Sequence, residues 1–234
     1  MPGSDLPSDA PLLRRHTHGD GFGYGWLLVL ILVSITFQLA APETDVAQVI
    51  TIGLQGLTLI AALHVSGVRT GLIHAAVAIA AIAVLGAVGI LIGSGELDDG
   101  AGRLLGFLFV VLAPAAIIRG IVRQARRDRA ITLRTMAGVL CVYLLIGSGF
   151  AFAYGIISAA ENSSFFAQQA GGDISDFLYF SFVTMTTTGY GDLTAAHDLG
   201  RSLAITEALI GQIYLVTVVA LIVSNLGNTR LQQR

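Results

Sequence analysis

The sequence predicts an all-α membrane protein: six transmembrane helices and one short helix that enters and leaves the bilayer on the same side. Three observations carry this: sparse charge, apolar runs of spanning length, and arginines confined almost wholly to one side. Of the 234 residues, 54% are hydrophobic and 12% charged, and the mean hydropathy is +0.77. A soluble domain carries about 25% charged residues, so half that density points to a membrane protein. The positive residues are all arginine, and Cys141, the single cysteine, leaves no intrachain disulfide to form.

Six apolar runs, 22–40, 46–63, 71–92, 104–118, 131–158 and 202–225, approach the roughly 20 residues a helix needs to cross the hydrocarbon. The first follows a polar tail, 1–21, with no small-residue cleavage site after the run, so it is not a signal peptide. It opens on Gly23-Tyr24-Gly25-Trp26, whose aromatic residues read as a boundary belt. The third run is rich in Ala and Gly, which lets helix backbones approach closely. Between the last two runs, 174–186 is too short to cross and is followed at once by glycines. Such a segment survives at membrane depth only where protein buries it or water is lined by it.

Orientation follows from the arginines. With alternating spans, Arg14, Arg15, Arg69, Arg119, Arg123, Arg126, Arg127, Arg129, Arg134, Arg230 and Arg234 share one side, leaving Arg103 and Arg201 on the other. Both termini are then cytoplasmic, and 174–192 dips in from the outside. The expected organisation is a tail at 1–21, a four-helix domain at 22–118, a basic linker at 119–130, a second helical domain at 131–225 and a short tail at 226–234. The linker arginines Arg119, Arg123, Arg126, Arg127 and Arg129 fall on one helical face, suited to anionic lipid headgroups.

Gly-Tyr-Gly occurs twice, at 23–25 and at 189–191. The second copy follows a helix of about thirteen residues, enough to reach half-way through the bilayer at about 1.5 Å per residue. Asp173 is placed to cap that helix and Asp176 to add charge to its first turn. The chain must then return outward within TTGYGDL, extended, with Gly189 and Gly191 allowing backbone angles that turn successive carbonyls the same way. One chain cannot close a ring of carbonyls; four chains can, and stacked rings replace the water shell of a potassium ion.

The stretch YFSFVTMTTTGYGDL resembles the pore loop of the potassium channel superfamily, with 131–158 and 202–225 as outer and inner pore helices. The resemblance implies a homotetramer, with K+ held at the carbonyls of Thr187, Thr188, Gly189 and Tyr190 in the strand ending at Gly191. It implies that Tyr190 packs on Tyr179 and Phe180, with Asp192 behind the outer mouth, and Tyr179 is placed to donate to Asp192. Thr188 stands where Val or Ile is usual, so its hydroxyl needs a partner, Ser181 or Thr184. Val183 stands where some members carry a glutamate. Gly211 matches a hinge glycine of the inner helix, with a packing glycine the competing reading. Glu207, the one acid within a span, is expected behind the filter or near the cavity, attracting cations.

Six spans with a pore hairpin before the last is the layout of voltage-gated members, yet 104–118 carries no charge. The expected function is therefore passive, potassium-selective conduction without a conventional voltage sensor. No enzyme activity and no cofactor beyond K+ are expected. A weakly selective cation channel and a helix-bundle transporter remain the alternatives. His197 is a candidate sensor of external pH beside the plainer reading of a solvated loop histidine. The Arg-only, Gly/Ala-rich composition suggests a bacterial inner membrane.

Overall fold

The computed structural model describes residues 23–42, 44–93, 99–128, 133–160 and 164–231. Expectations resting on the two tails, or on the side chains of Arg103, Arg126, Arg127, Arg129 and Arg134, lie outside the described residues. Within them stand seven helices: α1 (Tyr24–Ala40), α2 (Asp45–Val65), α3 (Thr70–Gly93), α4 (Asp99–Asp128), α5 (Leu133–Ala160), α6 (Ile174–Met185) and α7 (Asp198–Leu231). The described residues contain no strand; one isolated antiparallel bridge joins Phe166 to Ala195.

Five helices, α2, α3, α4, α5 and α7, are long and apolar enough to span a membrane. α1, at 17 residues, stands at the short end of spanning length. Local chemistry sets the boundaries. Thr44 caps α2 by accepting the Ala47 N–H at 3.2 Å. The same helix ends at Val65, and two residues on Gly67 has a φ of +61°, the left-handed conformation glycine adopts freely. There the Val68 N–H reaches back to the Leu63 carbonyl at 3.3 Å.

The fourth helix departs from expectation. It does not stop at residue 118 but runs on to Asp128, absorbing most of the basic linker and passing through Pro114. Arg123, expected to face lipid, donates from Nη1 to the Gly67 carbonyl at 3.0 Å while remaining exposed. It therefore latches the end of α4 onto the α2–α3 turn.

One apolar cluster unites the first four helices with α5: Leu27 and Ile31 of α1, Phe109 and Ile117 of α4, and Leu145 and Phe152 of α5 are all nearly fully buried. Small residues permit the close approach. A Cβ on Gly106 would lie 2.9 Å from the Phe152 ring, and one on Gly138 3.2 Å from Tyr24 Cγ. Tyr24 corrects the boundary-belt reading: it is only 2% exposed and lies in this cluster, whereas Trp26 is 66% exposed and suits the belt. A polar layer crosses the same core. Gln55 Nε2 donates to Gln38 Oε1 at 3.2 Å, and Gln38 Nε2 donates to the Ser34 carbonyl at 2.9 Å.

Candidate functional site

α6 opens where Asp173, in extended conformation, precedes the first turn. The Asp173 N–H donates to Asp176 Oδ2 at 3.4 Å, so the acidic pair satisfies one of the free amides at the helix start. The N-terminal end of α6 is held by Phe165 and Phe166, in the loop between α5 and α6. Phe165 meets the rings of Tyr154, Phe177 and Phe180 with centroids 5.2, 5.5 and 6.1 Å apart. The loop is stitched to the segment following residue 191 by Ala167 N–H to Thr194 O (2.9 Å) and Ala196 N–H to Phe165 O (2.8 Å).

After Met185 the backbone changes hand at alternate residues. Thr187, Gly189 and Gly191 have φ of +59°, +56° and +80°, and Thr187 is the one non-glycine with positive φ among the described residues. A β-branched residue in that region is strained and persists only where its surroundings impose it. The imposing contacts are visible. Thr187 N–H donates to Thr184 O at 3.0 Å, and Thr188 and Gly189 both donate to Val183 O, at 2.9 and 3.3 Å. Amides of the segment thus point back at α6, and residues 186–192 are exposed in the single chain.

The structure brings Tyr179, Tyr190 and Asp192 together. Tyr179 and Tyr190 stack with centroids 6.5 Å apart and planes 6° from parallel. Tyr179 Oη donates to Asp192 Oδ2 at 2.6 Å. That bond pushes the Tyr179 phenol up to about 12 and holds the Asp192 carboxyl below its ordinary value.

Three expectations need correction. Phe180 turns away from Tyr190, edge-on to Tyr154 at 5.2 Å and in the cluster of Phe165 and Phe166. It braces α6 against α5 instead of cuffing Tyr190. The Thr188 hydroxyl pairs with neither Ser181 nor Thr184 but lies 2.9 Å from Thr186 Oγ1. Thr184 contributes through its backbone carbonyl. Of the two places expected for Glu207, the one behind α6 agrees with the structure and the one facing a cavity does not, because the residue is 0% exposed even in the isolated chain. Its Oε2 accepts from Tyr154 Oη at 2.6 Å, and Oε1 lies 2.5 Å from Ser181 Oγ.

Gly211 is buried, and α7 runs unbroken through it. A Cβ there would lie 2.6 Å from Met185 Cγ and 2.7 Å from Met185 O, so packing against the end of α6 accounts for the glycine. One turn on, the ring of Tyr214 lies 5.7 Å from that of Tyr143, whose hydroxyl donates to Met185 O at 3.4 Å. His197 is exposed in the loop just before α7.

Residues 138–228, from α5 through α6 into α7, match a family model described as "Ion channel". The match and the five helices of spanning length support a membrane protein with an ion-channel domain, a class that is not enzymatic. That stretch, less than half of the chain, is similar to an ion-channel domain. No curated protein and no solved structure matches the chain.

Proposed function

We propose that four copies of this chain, each with six spans and cytoplasmic termini, form a potassium-selective channel, with Thr187–Gly191 as the filter. The observation that carries this is the alternation of backbone hand at Thr187, Gly189 and Gly191. In an ordinary strand successive carbonyls point to opposite sides; reversing the hand at every second residue turns them to one side. The amides bonded to Val183 and Thr184 leave that carbonyl column facing away from α6. A single column coordinates a cation from one direction only. Four columns about an axis complete stacked cages that replace the hydration shell of K+. The C-terminal end of α6, partly negative, points at the inner end of the column and favours a cation there.

Assembly is supported by what one chain leaves bare. Ile205, Leu209, Ile213 and Val216 of α7 are 64%, 59%, 65% and 59% exposed, spaced as one apolar helical face that neighbouring subunits would cover. Arg119 and Arg123 are exposed at the end of α4, where anionic lipid fits them. The test is flux into liposomes containing the purified chain. Potassium uptake should far exceed sodium uptake, and barium, close to potassium in size with twice the charge, should block at Thr187. Tyr190→Asp should lower selectivity while preserving tetramers. Equal uptake of the two ions by the wild type refutes the filter assignment and leaves a weakly selective pore.

A further inference from the structure

Three oxygen–oxygen contacts meet behind α6. Tyr154 Oη lies 2.6 Å from Glu207 Oε2, Ser181 Oγ lies 2.5 Å from Glu207 Oε1, and the same Ser181 Oγ lies 2.7 Å from Gly147 O. Each distance is that of a hydrogen bond and requires one proton between the oxygens. The tyrosine hydroxyl brings one proton and the serine hydroxyl one; a backbone carbonyl brings none. Two protons do not fill three contacts.

We infer that Glu207 supplies the third, as a neutral carboxylic acid that donates to Ser181 Oγ, while Ser181 donates to the Gly147 carbonyl and Tyr154 donates to the other carboxyl oxygen. Glu207 is then a positioning residue: its proton completes a relay that ties α7 to α6 and, through Gly147 and Tyr154, to α5. The surroundings agree. Glu207, Ser181 and Tyr154 are all 0% exposed. The ionisable groups that α5 presents to Glu207 are the phenols Tyr154 and Tyr143, and α6 presents Ser181. Arg201, on the same helix, is exposed and donates to the Ala195 carbonyl; the chain has no lysine. Among the described residues no cation compensates an ionised carboxylate at this site, and burying one uncompensated costs several kcal/mol in real proteins. Gly147 is part of the device, because a Cβ there would lie 2.8 Å from Met185 Cε and 2.9 Å from the Phe182 ring; a larger residue would push α5 off the serine.

Loss of the carboxyl proton leaves Ser181 with one proton for two acceptors, so either the Gly147 or the Glu207 contact must open. The relay therefore makes the seating of α6 depend on a proton held out of reach of solvent. The assignment concerns the protonation of one residue and stands whichever ion crosses the pore.

It is tested by infrared spectroscopy of the full chain in membranes at neutral pH. The difference between wild type and Glu207→Gln should show the loss of one protonated-carboxyl carbonyl band. Ser181→Ala, which removes the acceptor, should shift that band without abolishing it. A glutamine amide can donate to Ser181 and accept from Tyr154, so Glu207→Gln should keep the thermal stability of the assembly. Glu207→Ala should lower its folded-to-unfolded ratio about tenfold or more, as the loss of buried hydrogen-bond partners implies. A difference spectrum with no carboxylic-acid band, or a Ser181→Ala spectrum identical to wild type, overturns the assignment. So does a Glu207→Gln variant as unstable as Glu207→Ala.

Discussion

Adding a single methyl group at Gly211 separates two roles for that glycine. If it is a hinge, Gly211→Ala stiffens α7 and leaves the resting structure intact. The contacts predict otherwise. The new Cβ would lie 2.6 Å from Met185 Cγ and 2.7 Å from Met185 O, and Met185 is itself 0% exposed, with no free space to swing into. Overpacking of this kind costs about 1–3 kcal/mol, while alanine returns about 1 kcal/mol of helix propensity. The balance is a loss of up to about 2 kcal/mol in each subunit, on the order of a 30-fold change in an equilibrium constant. The strain falls on the last residue of α6, two positions before Thr187, so the proposed filter should be disturbed as well as the fold. The assays are thermal unfolding of the purified protein and potassium flux into liposomes; the unfolding temperature and the flux should both fall. Met185→Ala removes the clash with Cγ but not with the carbonyl, so the double variant should recover only part of the loss. Wild-type thermal stability in Gly211→Ala, with opening alone slowed, would refute the packing argument and restore the hinge.

Other outcomes are equally specific. The Tyr179 bond holds the Asp192 carboxyl below its ordinary value, so the stabilisation it provides is present at neutral pH and lost as external pH falls through that lowered pKa. Tyr179→Phe returns Asp192 towards its ordinary value, so acid inhibition of current should begin at a higher pH, and current should decay faster during sustained opening; an unmoved acid midpoint counts against this support. Phe165→Ala removes the ring at the centre of the outer aromatic cluster and should cost about 3–5 kcal/mol, read as a lower unfolding temperature of the purified channel with its ion preference retained. Membrane voltage should not gate through the first four helices, because one elementary charge crossing the field is worth about 2.3 kcal/mol per 100 mV and 104–118 carries none. A gating current in blocked channels that shrinks in Arg119→Gln or Arg123→Gln would disprove it.

What was legible in the sequence was what repeats or has fixed length. Apolar runs located the helices, and the arginines suggested their direction. The short helix before GYG, with Tyr179 and Asp192 thirteen residues apart, announced a pair that the structure holds at 2.6 Å. What failed was direction around a helix axis. Phe180 is adjacent to Tyr179, yet neighbouring residues on a helix point about 100° apart, and it faces α5. Tyr24 read as a boundary residue because local composition says nothing of Gly120 and Gly138, far along the chain, which make room for its ring. Phe165 and Phe166 carried a faint signal, two adjacent aromatics in a polar loop, but a loop aromatic becomes a core residue only once its partners are placed. Glu207 was flagged by its depth alone; that Ser181 and Tyr154 receive it depends on the crossing of three helices.

Helix α5 belongs to two cores at once. Cys141, Val142, Leu145 and Phe152 of α5 face the first four helices, while Ala151 and Tyr154 face α6 and its loop. A wall shared in this way limits how such a protein can be recombined. A chimera cut at the α4–α5 junction would place a foreign α5 against Tyr24 and Gly106, whose fits to Gly138 and Phe152 have no slack. Across descendants of this chain, positions 24 and 138, and positions 106 and 152, should change in pairs or not at all. A graft that ignores those pairs should misassemble even where residues 187–191 are all retained.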